Sequence, residues 1–234
     1  MGVQKYVVLL DADHAVTQDE RDDVVGRLVE SAGGAAGLVG LTVSSPFESL
    51  TGPAETVAVV QAWIDDSAGA DTRAAVGQLT GSAGAMVSSW LVEEMVFLAP
   101  VDRRPSAEHS RLNLFGTAAK REDFTVEGFF DYWKSVHAPI SASIPGSSGY
   151  VVSRVRSTVS MPVERTVDAF IELWYPSRDA HARANAHPLA AKAWEDVPNY
   201  ARTDGQFWLT HEHVVSEPPG TGPGMFDDAA AAAD

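Results

Sequence analysis

The 234-residue chain is predicted to contain the same order of secondary structure elements twice, once in each half. Runs rich in β-branched and aromatic residues predict strands, and apolar residues at helical spacing predict the helices between them. In the first half the predicted elements are strands at 5–10, 38–43, 57–64 and 90–98, with helices after Thr17 and at 68–79. In the second half they are strands at 111–115, 150–156, 169–175 and 207–215, with helices at 125–137 and from Ser177 through 178–196. Both halves therefore follow the order βαββαβ, which folds into a four-stranded antiparallel sheet with two helices on one face.

Two short sequence echoes indicate that the halves arose by duplication. The segment Gln61–Ile64 resembles Glu172–Tyr175 at the end of the third strand of each half. The segment Trp90–Val96 resembles Trp208–Val214 in the fourth strand. Because both echoes fall at matching positions of the βαββαβ order, they support a ferredoxin-like repeat present in two copies.

The sheet face that carries no helices determines how two such repeats are arranged. A bare apolar sheet face has to be buried against another layer. We therefore predict an α+β fold in which two tandem ferredoxin-like repeats pair sheet to sheet and close one intramolecular barrel. The alternative is a pair of separate domains that each dimerise with another chain. The expected division is a degenerate half at 1–99, a linker at 100–108, a half with the functional site at 109–216 and a flexible acidic, Ala-rich tail at 217–234.

Composition excludes several classes of function. A formal net charge of −15 argues against nucleic acids and anionic membranes as partners. The absence of cysteine excludes disulfides, thiolate metal sites and a cysteine nucleophile. No run of residues is apolar over the roughly 20 positions that a membrane span needs, and the N-terminal apolar run reaches Asp11 too early for a signal peptide. We therefore expect a cytoplasmic protein.

One histidine lies in an aromatic helix of the second half, which holds six of the seven histidines. Histidine is the side chain that most readily exchanges protons near neutral pH. His137 shares a predicted helical face with Phe129 and Trp133. We expect the helix to end at His137, because Pro139 prevents its continuation, and the imidazole to point between helix and sheet. The alternative is a histidine that stabilises the helix C-terminus and binds a backbone carbonyl.

Four sequence patterns in the second half carry a family resemblance. They are F-x-x-Y-W-x-x-x-H-A-P at 129–139, P-G-x-x-G-Y-V at 145–151, E-L-W-Y at 172–175 and E-H-V-V at 212–215. Together they resemble the EthD domain of the dimeric α+β barrel superfamily, over roughly residues 110–215. The resemblance implies a pocket between helices and sheet, usually without a metal or organic cofactor. It also implies a role in catabolism or secondary metabolism, since family members include decarboxylases of aromatic polyketide acids.

The resemblance also marks individual positions. Carried over residue by residue, it points to Tyr132, Trp133 and His137 as pocket or catalytic residues. When the first helices of the two halves are aligned at their N-terminal caps, Val25 stands opposite Trp133 and Val29 stands opposite His137. An aliphatic side chain cannot transfer a proton, so we predict a single functional site in each chain.

Four further polar residues are candidates for the pocket. His211 and His213 alternate along a strand and therefore share one face, where they form a polar wall of the pocket or half of a two-histidine metal site. The alternative for both is a solvent-facing strand end, and we expect no metal. Asn185 and His187 lie where the second helix of this half breaks, and they orient a substrate at the pocket rim or simply end the helix.

These residues predict a cofactor-independent enzyme for a small hydrophobic compound, aromatic or polyketide-derived. His137 is the expected general acid and base, Tyr132 stabilises charge on a phenolate or enolate, and Trp133 and Phe129 contact the substrate. Such a set suits a lyase, decarboxylase or isomerase. The alternatives are a cofactor-free or haem-dependent oxygenase, and a non-catalytic protein that binds a hydrophobic metabolite or haem, with His137 or His213 as axial ligand. The expected assembly is a monomeric barrel or a homodimer of barrels.

Overall fold

The strands of both halves join in one closed barrel, with the helices packed around its outside. The computed structural model describes residues 2–32, 35–51, 55–68, 71–81, 83–101, 111–162 and 164–219. The strands are β1 (Val3–Asp11), β2 (Leu38–Ser49), β3 (Thr56–Asp65), β4 (Met86–Leu98), β5 (Arg111–Ala118), β6 (Gly149–Ser160), β7 (Ala169–Tyr175) and β8 (Phe207–Ser216). The helices are α1 (Gln18–Ser31), α2 (Thr72–Thr80), α3 (Val126–Tyr132), α4 (Ala138–Ala142), α5 (Arg178–Asn185) and α6 (Pro188–Asp196). A π-helical turn at Trp133–His137 connects α3 to α4, and 3-10 turns lie at Asp66–Ala68 and Val197–Asn199.

The order of the strands around the barrel is β1-β3-β2-β8-β5-β7-β6-β4. The neighbouring strands pair antiparallel. Two seams, β2 with β8 and β4 with β6, join the first half to the second. This confirms the predicted α+β barrel of tandem repeats and shows that the two halves pair within one chain. Most of the predicted linker (102–108) and of the predicted tail (220–234) lies outside the described residues.

Side-chain caps fix where the helices begin. Thr17 accepts a hydrogen bond from the backbone N–H of Glu20, and the Glu20 carboxylate in turn accepts from the Thr17 backbone, which completes the predicted capping box. Thr125 and Ser177 cap α3 and α5 in the same way through their hydroxyl groups. These three helices therefore start where the sequence placed them, whereas the helix predicted at 68–79 begins only at Thr72. The helices of each half pack their apolar faces on the outer face of the sheet of that half.

The interior of the barrel has an apolar end and a polar end. Trp90, Phe115, Phe170 and Trp208 pack together at the apolar end. At the other end, Lys5 and several carboxylate and amide side chains are buried between the strands. Burial of so many polar groups is expensive unless each of them is paired.

The helix that carries His137 does not end there, so the expectation based on Pro139 was wrong. The chain continues through the π-helical turn into α4, and the Ala138 N–H bonds to the Trp133 carbonyl five residues earlier. Proline has no N–H, and its ring would clash with the carbonyl four residues before it in a regular helix. The wider turn accommodates Pro139, because a π turn contains one more residue than an α turn.

The extra residue also changes which positions of the two halves correspond. In α1, Leu28 is buried at 1% exposure and Val29 is 39% exposed. In the second half, the π turn leaves Val136 exposed at 38% and buries His137 at 7%. Leu28, rather than Val29, therefore occupies the place of His137 in the first half. Because Leu28 is aliphatic as Val29 is, the first half still has no side chain at this position that could transfer a proton.

Within the described residues, no helix is both long enough and apolar enough to span a bilayer.

Candidate functional site

A pocket of about 200 Å³ lies between the helices of the second half and the outer face of its sheet. Its floor is formed by apolar side chains of β5 and β7, Leu114, Ile171 and Leu173. Small residues of α5 and α6, including Ala184 and Ala190, keep the opposite wall open. The polar residues of its lining include Thr117, His137, Ser141, Tyr150, Tyr175, His181, Asn185, Tyr200, Arg202 and Thr203.

His137 lies in the wall of this pocket with both ring nitrogens engaged. Nδ1 is 3.1 Å from Asp196 Oδ2, and Nε2 is 3.1 Å from Ser141 Oγ. An ionised carboxylate only accepts hydrogen bonds, so Nδ1 carries the proton and Nε2 accepts from the Ser141 hydroxyl. Burial lowers the pKa of His137 below its ordinary value, although Asp196 opposes this shift. The residue is therefore a neutral base with its lone pair on Nε2.

Asp196, at the end of α6, is held by three donors. Besides His137, the Tyr132 hydroxyl donates to Oδ1 at 2.7 Å and Asn199 Nδ2 donates to the same oxygen at 3.0 Å. Burial alone would raise the pKa of Asp196, but the hydrogen bonds from Asn199, Tyr132 and His137 together lower it. Asp196 thus stays ionised and fixes the orientation of the imidazole. Tyr132 is absent from the pocket lining, and the structure places it behind the histidine.

Two aromatic rings, those of Trp133 and Tyr200, lie against His137, and a third aromatic residue, Tyr150, is bonded to Trp133. The Trp133 indole N–H donates to the Tyr150 hydroxyl at 2.7 Å, and the Tyr200 ring lies 5.0 Å from the imidazole. Burial raises the pKa of Tyr150 and of Tyr200. Both phenols therefore remain protonated at neutral pH and line the pocket as potential hydrogen-bond donors.

The remaining predicted residues are placed differently. Asn185 lines the pocket, whereas His187 caps α6 by accepting from the Leu189 N–H at 3.2 Å and is not part of the lining. Phe129 is fully buried behind Trp133, against which it packs edge to face.

Neither His211 nor His213 lines the pocket. The His211 ring stacks on Phe47 at 4.3 Å between centroids, on the outer face of the β2–β8 seam. Among the described residues, no group of three or more His, Cys, Asp or Glu side chains is arranged to hold a metal ion.

Sequence reasoning missed several residues of the site. Asp196, Ser141, Tyr200 and His181 received no role, and His181 is half-buried in the pocket lining. The spacing of His137 and Ser141, four residues apart on one helix, is a signal that could have been used. Asp196 carries no comparable signal, because only the packing of α6 against the π turn and α4 brings it next to the imidazole.

The lowered pKa of His137 is open to direct measurement. We expect its imidazole to titrate below 6.5 in two-dimensional ¹H–¹⁵N NMR, with an Nδ1-protonated ring above that pH. The folded state then binds this proton more weakly than the unfolded chain. Stability should therefore decrease as the pH falls from about 6.5 towards the lowered pKa. An imidazole that titrates above 6.5 would contradict the neutral base.

The barrel and the pocket beside His137 define the class of protein: a tandem α+β barrel whose second half carries the candidate site. Solved structures of the same architecture include an anthrone oxidase-like protein, with a TM-score of 0.62 at 11% identity over 94% of this chain and 97% of that chain. A proposed monooxygenase from Lactobacillus acidophilus NCFM has a TM-score of 0.53 at 9% identity, over 93% and 99% of the two chains. A chlorite dismutase variant from Candidatus Nitrospira defluvii has a TM-score of 0.51 at 8% identity, over 89% and 91%. At such identities the likeness shows the fold alone.

The EthD domain matches residues 121–204 of this chain. The match confirms the resemblance inferred from the sequence patterns, and its range contains both His137 and Asp196. No curated protein sequence matches the chain significantly.

Proposed function

We propose that the chain is an enzyme that abstracts a proton from a small aromatic or polyketide-derived compound, with His137 as the base. The observation that carries the proposal is the pairing of a neutral, buried His137 with an ionised Asp196 in the wall of an apolar pocket. Titratable groups in a pocket whose pKa values are shifted by burial and by a specific hydrogen-bond partner are typical of acid–base sites. The reaction class is a lyase, decarboxylase or isomerase step without a metal or organic cofactor.

The first step is a proton transfer to Nε2 of His137. An acidic C–H or O–H group of the substrate takes the place of the Ser141 hydroxyl at that nitrogen, and its proton moves to the imidazole. Asp196, 3.1 Å from Nδ1, stabilises the resulting imidazolium. The negative charge left on the substrate oxygen is stabilised by a hydrogen bond from a phenol of the pocket, Tyr200 or Tyr150.

The fate of the anion decides the overall reaction. In an isomerisation the imidazolium returns the proton to a different carbon of the substrate. In a decarboxylation the substrate loses its carboxylate as CO₂, and the imidazolium protonates the carbanion that remains. In both routes the imidazolium gives its proton back to a carbon of the substrate, so that His137 ends in its neutral state.

Tyr132 has a different part in this proposal from the one that its motif suggests. Its hydroxyl donates to Asp196, and this hydrogen bond raises the pKa of Tyr132. We therefore assign it to positioning Asp196 and not to direct contact with the substrate anion.

A cofactor-free oxygenase is the second candidate, since an electron-rich aromatic anion is the species that reacts directly with O₂. It shares the proton abstraction by His137 and differs only in the step that follows. Two of the structures with this fold are a proposed monooxygenase and an anthrone oxidase-like protein, which makes oxygen uptake worth measuring beside the proton transfer.

Haem does not fit this pocket. Its volume of about 200 Å³ lies below the usual range of pockets even for drug-sized molecules, roughly 300–1,000 Å³. His213, the other candidate ligand, does not line the pocket.

Deuterium exchange tests the proposed proton abstraction, whichever reaction follows it. We expect the protein in D₂O to exchange an acidic C–H of at least one member of a panel of anthrones, aromatic β-keto acids and phenols, followed by NMR. Oxygen uptake measured with an electrode on the same panel separates an oxygenase from a lyase or isomerase. Tight binding of a panel member with neither exchange, product nor oxygen uptake would favour the non-catalytic binding protein.

A further inference from the structure

The buried polar side chains at the polar end of the barrel interior form two groups, and the repeat of the two halves relates one group to the other. On one side, Lys5 of β1 donates hydrogen bonds to Glu94 at 2.8 Å, Ser153 at 3.1 Å and Glu172 at 3.0 Å. These three acceptors come from β4, β6 and β7. The ammonium group therefore holds together strands of both halves from inside the barrel.

The register of the strands identifies the equivalents of these residues on the other side. Lys5 pairs with Trp63 in the first half and Asn113 pairs with Trp174 in the second. Asn113 therefore occupies the position of Lys5.

The acceptors have equivalents in the same way. Glu94 lies opposite Ser153 across one seam, and Glu212 lies opposite Ser44 across the other. Gln61 corresponds to Glu172 through the repeated strand ends, and the two side chains are joined by a hydrogen bond of 2.8 Å. The equivalents of the three groups that bind the Lys5 ammonium are thus Glu212, Ser44 and Gln61.

Within the part of the chain that the structure describes, side-chain atoms of these equivalent residues have no hydrogen-bond partner. Among the described residues, no hydrogen bond reaches Glu212 Oε1, Ser44 Oγ, Gln61 Oε1 or either amide atom of Asn113, although each atom is buried. All four residues have 0% exposure. Buried polar atoms are rarely left unpaired, and these five belong to the residues equivalent to Lys5 and its three acceptors.

Charge is also unbalanced in this layer. Its described side chains include the carboxylates of Glu94, Glu172 and Glu212 but only two cations, Lys5 and Arg111. Arg111 and the Trp174 indole N–H both bind Glu212 Oε2, which leaves Oε1 without a donor. One excess negative charge in a buried site is costly unless it is compensated.

We propose that a dehydrated monovalent cation, such as K⁺ or Na⁺, binds inside the barrel at the position equivalent to the Lys5 ammonium group. Glu212 Oε1, Gln61 Oε1, Ser44 Oγ and Asn113 Oδ1 are its ligands. A hard cation prefers such oxygen donors, and a single positive charge neutralises the layer. A water molecule at this place could donate only two hydrogen bonds and would leave the charge unbalanced. The orientation of Gln61 is fixed, because its amide N–H₂ donates to Glu172 and its oxygen therefore faces the site.

The test compares thermal unfolding of the whole chain in potassium, sodium and choline chloride at equal ionic strength. Choline is too large for the site and serves as the reference cation. We expect Tm to rise by about 3–5 °C for each tenfold increase of the bound cation above its Kd. In crystals soaked with Tl⁺, we expect an anomalous peak between Glu212, Gln61 and Ser44.

Two variants and a control separate this site from a general salt effect. Asn113→Lys should supply the missing ammonium group, so that Tm no longer depends on the cation. Glu212→Gln should remove the cation dependence whatever its effect on the absolute Tm. Ser88→Ala, which removes an unpaired buried hydroxyl from another part of the barrel, should keep the dependence of the wild-type protein. Equal Tm values of the wild-type protein in all three salts, with no Tl⁺ peak at this position, would overturn the proposal in favour of buried water.

Discussion

Replacing His137 with glutamine is expected to lower kcat/KM for the proton-transfer reaction by about 10²–10⁴-fold, the usual contribution of a general base. The glutamine amide can still donate a hydrogen bond to Asp196, but it has no basic nitrogen at the place of Nε2. We therefore expect Tm to change by only a few degrees. Steady-state kinetics with the substrate found by deuterium exchange, together with thermal unfolding, provide the measurement.

His211→Gln is the matched control, because His211 lies on Phe47 outside the pocket. It should leave the kinetics unchanged. A His137→Gln protein that is strongly destabilised but keeps its activity would assign His137 to packing, and the proposed base would have to be abandoned.

Replacing Asp196 with asparagine should cost nearly as much activity, about 10²–10⁴-fold, through the tautomer of His137. The Tyr132 hydroxyl and Asn199 both donate to Oδ1, so the asparagine has to place its oxygen there. Its N–H₂ group then faces Nδ1 of His137 and donates to it. The proton moves to Nε2, and the nitrogen that should accept the substrate proton becomes a donor.

The tautomer is visible in ¹⁵N chemical shifts, which gives a readout that loss of packing would not produce. We expect the Nε2-protonated ring in Asp196→Asn and a further decrease in the pKa of His137, because Asp196 raises that pKa in the native protein. Asp131→Asn, on the exposed face of α3, makes the same chemical change and should alter neither tautomer nor rate. An unchanged tautomer with full activity would show that Asp196 does not orient the base.

The sequence predicted the architecture well because its signals are local and repeated. Thr17, Thr125 and Ser177 mark helix starts through their own hydrogen bonds, and alternation along each strand defines the two faces of the sheet. Closure of the barrel followed from the need to bury a bare sheet face, which two copies in one chain satisfy. These arguments need no knowledge of distant contacts.

The site was predicted only in part, because its polar contacts join residues far apart in sequence. The sequence pattern at 129–139 identified His137 as the candidate base, but its partner Asp196 lies 59 positions away and follows no motif. Tyr132 was predicted to be a pocket or catalytic residue on the same helix, and yet its hydroxyl group faces Asp196 rather than the pocket. The effect of Pro139 was misjudged, since a proline can be accommodated by a wider turn as well as by a helix end.

The seam between β2 and β8 has a consequence for how the protein is made. Every residue that lines the pocket belongs to the second half, but the barrel closes only when Val43 pairs with His213 and their neighbours follow. Bringing together segments so far apart along the chain makes folding slow compared with folding through local contacts. During synthesis the first half therefore has to wait, with its inner sheet face uncovered, until almost the entire chain has left the ribosome. The first half is therefore needed to complete the fold of the half that carries the candidate site, although it contributes no residue to the lining of that pocket.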